Sequence, residues 1–468
     1  MHPIPSAVRE ILHSFESCFT APGFRHFVRL LTAWVLVTGC HTISRMVQLT
    51  CALGARRHHA AFYRFFSEGR WSLDAVGRVV FRMLRPWLPD RVLLLVDDTL
   101  SARCGPQVFG TGFHLDTTQT IAAPGHRLDA FRFGHSWVVL AVWIPCPWRA
   151  ETGWAVPLLF RLLRAKKNTP AGSYRKRSEL AVEMIAEVAS WHEAPRPLYA
   201  VGDGAYCCRT VIEALPAGVF FVGPIRLDSA LYELPQGVNR LGRPRQKGYR
   251  LASPRHRLEN KDLWHPLEVG MYAGRVPLEI WTEVCLWYPS AGSKPVRVVG
   301  TRDPRRRLKP RTIICTDPDV DPGVLLTMYA RRWQIEVTFR DIKQELGFGQ
   351  ARNGWWRRPH GRRSDARRCR VGPRRVRGAP AVLRTAPLAG VVYALVVRWY
   401  LQHGDPDADV SRARARAPWH TTKRFPSFAD MLAALRRQLW GQHFWRMRLP
   451  GRIRQNLADL LCCAGVAA

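Results

Sequence analysis

Acidic residues are scarce in this chain. Its 468 residues include 36 Asp and Glu against 71 Lys and Arg, a formal net charge of +35 and a pI near 10.9. That excess goes well beyond what solubility needs and points to a polyanionic partner, most simply nucleic acid. Zinc-type cysteine spacing is missing as well. Twelve cysteines occur, but no two CxxC pairs. Cys207-Cys208 and Cys462-Cys463 are adjacent and suit neither zinc nor ordinary disulfides. Reduced thiols in a cytoplasm are expected. The longest apolar runs, Leu30–Cys40 and Pro387–Val397, are about 11 residues, short of the ~20 that cross a bilayer. No signal peptide pattern opens at Met1, so a cytoplasmic protein without a membrane partner is expected. Hydrophobic residues make up 47% of the chain, which excludes global disorder and leaves room for a large core.

Residues 1–88 read as a small basic helical region of the kind that binds DNA, though no helix-turn-helix pattern stands out. Arg91–Thr99 then runs through five consecutive apolar residues into Asp97 and Asp98, the pattern of a buried central strand ending in two carboxylates. Carboxylates there are costly unless paired or bound to a cation. Ser136–Pro145 and Gly153–Phe160 read as strands and Ser178–Ser190 as a helix. Pro197–Gly202 is a strand leading to Asp203, followed by a helix over Cys207–Leu215 and a strand over Gly218–Val222. The order β-β-β-α-β-α-β is that of an α/β, RNase H-like, retroviral-integrase-type fold with a mixed five-stranded sheet. In that fold the first strand lies beside the fourth, which would bring Asp97 to Asp203.

Residues 89–225 therefore form the first part of a core, and 226–315 a β-rich insertion containing Tyr272, Trp281 and Trp287. The core resumes over 316–404 and a C-terminal helical region covers 405–468. Within the latter, Asp405–Pro418 reads as a polar linker and Phe428–Leu439 as an amphipathic helix. Trp355–Gly378 carries ten arginines in 24 residues without apolar periodicity. It reads as a DNA-backbone arm or as the product of a local frameshift.

The stretch Tyr329–Lys343 contains Tyr329, Arg332, Glu336 and Lys343. At ~3.6 residues per turn these fall within about 60° of arc. Met328, Ile335, Phe339, Ile342 and Leu346 form an adjacent apolar stripe that can anchor the helix. Asp321-Pro322 supplies an N-cap and a first-turn proline, and Gly347 a C-cap. With Glu336 facing two strand-end aspartates, three carboxylates would share one cleft. Hard oxygen donors of this kind suit Mg²⁺ and phosphodiester chemistry. Arg332 would orient Glu336 or hold a phosphate, and Tyr329 and Lys343 would contact phosphates.

These residues match Y-x2-R-x3-E-x6-K at every spacing. Together with DDT at 97–99 and DGAY at 203–206 they resemble the DDE transposases of bacterial insertion sequences, specifically the group with the Y-R-E-K motif. The resemblance spans about residues 88–350. It implies that Asp97, Asp203 and Glu336 are the catalytic, metal-binding triad for two Mg²⁺ ions, with Mn²⁺ as a substitute. It implies that Tyr329, Arg332 and Lys343 bind DNA and that Trp281 or Trp287 stacks on a flipped base. The Asp-x-Thr pattern favours Asp97 over Asp98 as the first ligand, with Asp97 pointing into the cleft. The expected activity is cut-and-paste transposition by a nucleoid-associated homodimer acting on double-stranded terminal inverted repeats and target DNA. The alternatives are an RNase H-like nuclease without strand transfer and an inactive, transposase-derived DNA-binding protein.

Overall fold

A computed structural model describes residues 4–54, 57–103, 108–115, 131–166, 169–170, 172–193, 195–235, 245–271, 274–351 and 378–445. The arginine-rich stretch 355–377, Tyr272, Cys462-Cys463 and the last residues of the chain lie outside them.

Five N-terminal helices, α1 (Ser6–His13), α2 (Ala21–Leu36), α3 (Ile43–Ala52), α4 (His59–Ser67) and α5 (Leu73–Leu84), precede the sheet. The strands are β1 (Val92–Ala102), β2 (Gly112–Leu115), β3 (Phe131–Pro145), β4 (Gly153–Leu163), β5 (Leu198–Val201), β6 (Val219–Ile225), β7 (His265–Met271), β8 (Gly274–Leu286), β9 (Pro295–Arg302) and β10 (Arg311–Cys315). Helix α6 (Arg177–Trp191) precedes β5, and the short α7 (Arg209–Glu213) links β5 to β6. After β10 come α8 (Pro322–Arg331), α9 (Trp333–Gln344), α10 (Ala379–Thr385), α11 (Leu388–His403), α12 (Pro406–Arg416) and α13 (Phe428–Trp445).

The fold is mixed α/β around a mixed sheet. Among the described residues that sheet has ten strands rather than five, in the order β2-β3-β1-β5-β6-β10-β9-β8-β7, with β4 also on β3. The reason is edge pairing. Strand β10 adds antiparallel to β6, and β9, β8 and β7 follow as a meander. The insertion thus prolongs the core sheet and covers the edge that β6 would otherwise expose.

Strand β1 is central: β3 pairs with it antiparallel and β5 parallel. Residues Val92–Val96 are fully buried, as their unbroken apolar run requires. The strand does not end at the carboxylates, because β3 is long enough to carry it on to Ala102. Asp97 and Asp98 are therefore interior strand residues.

The N-terminal helices are tied to later segments of the chain by side-chain donors. The buried Trp34 indole N–H donates to the Leu346 carbonyl at 2.9 Å. Arg436 of α13 donates to the carbonyls of Val35 and Val37, and Arg384 to those of Phe66 and Trp71. Residues 405–418 are not a linker. Asp405 caps α12 by accepting from the Ala408 amide at 3.0 Å, Pro406 takes the first turn, and the buried Asp409 accepts from Tyr400 at 2.9 Å and from Arg412 at 3.1 Å. Ion pairs hold this helix, which is why it lacks an apolar period. The segment Ala379–His403 is long and apolar enough to cross a bilayer, but 83% of that apolar stretch is buried inside the protein, the burial of a core helix.

Trp34→Phe keeps an aromatic ring but removes the indole N–H that pairs the Leu346 carbonyl. A loss of about 1–3 kcal/mol is expected, read as a lower urea midpoint at unchanged m-value.

Candidate active site

The strand register sets the site. Leu95 pairs with Val201 in the last rung between β1 and β5. Two residues further along each parallel strand stand Asp97 and Asp203, so they lie abreast at the notch where β5 stops. Asp203 opens a tight turn, its carboxylate accepting from the Ala205 amide at 2.9 Å and its carbonyl accepting from the amides of Tyr206 and Cys207. The notch follows from α/β geometry, in which sites form beyond the carboxyl ends of parallel strands.

Glu336 arrives on α9. Thr338 donates to the Ala155 carbonyl of β4 at 2.9 Å, and Ile335, Phe339 and Ile342 are buried, so the opposite stripe turns toward β1. Asp321 caps α8 by accepting from the Val324 amide, and Gly347 takes a positive φ of 59° as the chain leaves the helix. The expected single helix is tightened at Arg332, where the amide donates to Tyr329 and the carbonyl accepts from Ile335, both three residues away. The chain thus divides into α8 and α9 at Arg332, with Tyr329 on the first and Glu336 and Lys343 on the second.

A cleft of about 580 Å³ is lined by Asp97, Asp98, Asp203, Arg332, Glu336 and Lys343, joined by Arg340. Tyr329 is not among its lining residues; its hydroxyl accepts from Arg311 at 3.1 Å. Asp97 and Asp98 both border the cleft. Adjacent strand residues face opposite sides, and the two carboxylates have separate partners. Asp97 accepts from Arg332 at 3.0 Å, while Asp98 accepts from Arg177 at 3.0 Å and from Tyr206 at 3.4 Å. Trp281 and Trp287 are both buried in the insertion; Trp281 lies beneath the Arg257 guanidinium and against Gly300.

Arg332 also donates to Glu336 at 2.8 Å, so one guanidinium bridges a strand carboxylate and a helix carboxylate. Burial disfavours its charge, but Asp97 and Glu336 outweigh burial and hold the guanidinium above its ordinary range. Burial pushes the Asp97 carboxyl up to about 7; Arg332 and the Asp98 amide oppose this, and the nearby Asp203 and Asp98 charges add to it. Burial likewise raises Asp98, with Arg177 opposing and Asp203 adding. Burial, then Asp98 and Asp97, raise the Tyr206 hydroxyl well above its usual range.

Two features were not read from the sequence. Arg340 lies eleven residues past Tyr329, about 20° away on a helical wheel, so periodicity could have found it. The Asp98–Arg177–Tyr206 contact joins distant segments and leaves no local signal.

The family model of the DDE superfamily endonucleases matches residues 14–274. The chain belongs to that family. The matched stretch contains Asp97 and Asp203; Arg332, Glu336 and Lys343 lie beyond it. One similar solved structure is a cryo-EM structure of a piggyBac transposase synaptic complex with hairpin DNA. It shares 10% identity over 97% of this chain and 80% of that chain at a TM-score of 0.36, too low to carry an argument. No curated protein matches the chain.

DDE superfamily enzymes generally use divalent metal ions. The donors here fit in kind, since all are carboxylate oxygens, the set that hard divalent cations take. They fit in charge, because burial pushes the Asp97 carboxyl up to about 7 despite Arg332, and further positive charge would favour its ionised form. Among the described residues, however, no three acidic, His or Cys side chains stand close enough to hold an ion together. The three-ligand cluster expected from Asp97, Asp203 and Glu336 is therefore not drawn in, and Arg332 stands between two of its members.

A carboxyl raised from 3.8 to about 7 keeps its proton in the folded chain but not in the unfolded one. Its contribution to stability therefore falls as pH rises through that window. Without divalent cations, wild-type stability, read as Tm, should decline between about pH 4 and pH 7 more steeply than that of Asp97→Asn, by a free-energy difference on the order of 4 kcal/mol. Added Mg²⁺ at about pH 8 should raise Tm in the wild type more than in the variant.

Proposed function

We propose that this endonuclease is an RNase H-like transposase of the Y-R-E-K group, encoded by a bacterial insertion sequence. It cleaves the ends of its element and joins them to target DNA by metal-dependent transesterification. The observation that carries the reading is the meeting of Asp97, Asp203, Glu336, Arg332 and Lys343 on one cleft from three separate segments. The fold supports it: β4-β3-β1 antiparallel, β5 and β6 parallel to β1, and a helix before each of the latter. The +35 charge supports a duplex DNA substrate.

Asp97, Asp203 and Glu336 would hold two Mg²⁺ ions. Such ions activate the attacking oxygen and stabilise the leaving oxygen of an in-line displacement. Arg332 orients Asp97 and Glu336 through its two hydrogen bonds. Lys343, two turns past Glu336, and Arg340 bring positive charge to the same wall and hold the DNA phosphate against the carboxylates. Tyr329 and Arg311, bonded to each other, extend that wall toward the flanking DNA. Pairing of two element ends calls for a homodimer, and its substrate places the protein at the nucleoid in the cytoplasm.

The test uses the DNA flanking the gene as the source of end sequences. Purified wild type with Mg²⁺ should nick at the ends, and Glu336→Gln should nick more than about 100-fold more slowly, the scale of losing one charge-stabilising group. Equal residual nicking in both proteins would remove Glu336 from the machinery. Pre-cleaved ends carrying free 3′-hydroxyls should be joined to target DNA. Hydrolysis without joining would reduce the activity to that of a nuclease.

A further inference from the structure

The turn between β9 and β10 concentrates positive charge. Residues 303–311 read DPRRRLKPR, with Arg305, Arg306, Arg307, Lys309 and Arg311 all exposed. A basic turn is ordinarily a solvated one, but three observations set this turn apart.

The first is its place on the sheet. Strand β10 runs antiparallel to β6, with Thr312 opposite Ile225 at the carboxyl end of β6. Strands β5 and β6 are parallel, so the turn leaves the same edge of the sheet as Asp203. Strand spacings of about 4.8 Å put it roughly 10–15 Å from Asp203. Duplex DNA rises 3.4 Å per base pair, so a duplex whose axis follows this edge of the sheet would span about three to four base pairs between the carboxylates and the turn.

The second is its rigidity. Asp303 is buried and its carboxylate accepts from the amides of Arg305, Arg307 and Leu308 at 2.9, 3.0 and 3.3 Å, and from the Arg307 side chain at 3.1 Å. Arg306 sits at φ +56°, left-handed backbone that a non-glycine residue rarely takes. The three arginines are thus presented in a fixed order rather than on a loose tether, which reduces the entropy lost on binding.

The third is its link to the catalytic helix pair. Arg311, the last residue of the turn's basic run, donates to Tyr329, one turn before Arg332.

We infer that the β9–β10 turn is a preorganised clamp for duplex DNA phosphates, gripping the backbone about three to four base pairs from the site of cleavage, with Asp303 as its positioning residue. The inference rests on the DNA-processing reading above and adds a partner contact to it. Regularly spaced phosphates match a row of arginines at fixed separation.

The test measures binding of a random-sequence duplex of about 30 base pairs across a KCl series. Each phosphate contact contributes ~0.9 to the slope of log K against log salt. The triple variant Arg305→Gln, Arg306→Gln, Arg307→Gln should bind more weakly and with a slope shallower by roughly 2–3. Asp303→Ala decides between a clamp and a charge cloud, because it removes a negative charge. A charge cloud would bind DNA more tightly after that loss; the clamp binds more weakly, by about 10-fold at fixed salt if one or two contacts are lost. Far-UV circular dichroism and Tm of both variants confirm that the protein stays folded. Wild-type binding with an unchanged slope in the triple variant, or tighter binding by Asp303→Ala, would overturn the clamp and leave the nuclease reading intact. Absence of duplex binding by wild type would overturn both.

Discussion

The Arg332 guanidinium lies between the carboxylates of Asp97 and Glu336, residues brought together from a central strand and a helix more than two hundred positions later. The rest of the site depends on that placement. Asp97 is poorly solvated and feels the charges of Asp203 and Asp98, and the Arg332 cation opposes both effects. Planar donors forked in two directions suit this task in a way that a lysine ammonium would not. The compensation is incomplete, because burial still pushes Asp97 up to about 7. That residual deficit of positive charge stands beside carboxylate oxygens, donors of the kind that hard divalent cations take.

The sheet supplies the frame for this arrangement. Parallel pairing of β1 with β5 fixes Asp97 against Asp203 by register alone. The early end of β5 opens the notch between them. On the far side, β10 joins β6 and brings the insertion into the same sheet. The insertion is therefore rigidly oriented to the carboxylates by backbone hydrogen bonds, not hung from a hinge. Trp281 and Trp287 are spent on its own packing, with Gly300 leaving the space that the Trp281 indole fills.

Much of this was readable in the sequence where a local rule applied. The apolar positions of the Tyr329–Lys343 stripe are buried, Asp321 caps its helix and Arg332 reaches Glu336 one turn on. The strand order correctly set Asp97 beside Asp203. What escaped was set by long-range pairing. The length of β3 decides that β1 continues beyond its carboxylates, and no residue within β1 reveals that. Asp98 acquires Arg177 and Tyr206 from segments 79 and 108 residues away. The ten-stranded sheet follows from β10 choosing the β6 edge. Helix α12 carried its caps and end charges in plain view, but no apolar stripe to announce it.

The Trp34–Leu346 bond and the Asp97–Arg332 pair share a timing consequence. At 5–20 residues per second, roughly 12–50 s of synthesis separate the emergence of Asp97 from that of its counter-charge. Throughout that interval the nascent chain carries strands whose burial would trap unneutralised carboxylates, and N-terminal helices whose indole donor has no acceptor. The central notch is thus among the last parts of the protein to close. A ribosome-bound chain that ends between Cys315 and Arg332 has all of β1 to β10 and still lacks the guanidinium that pairs with Asp97.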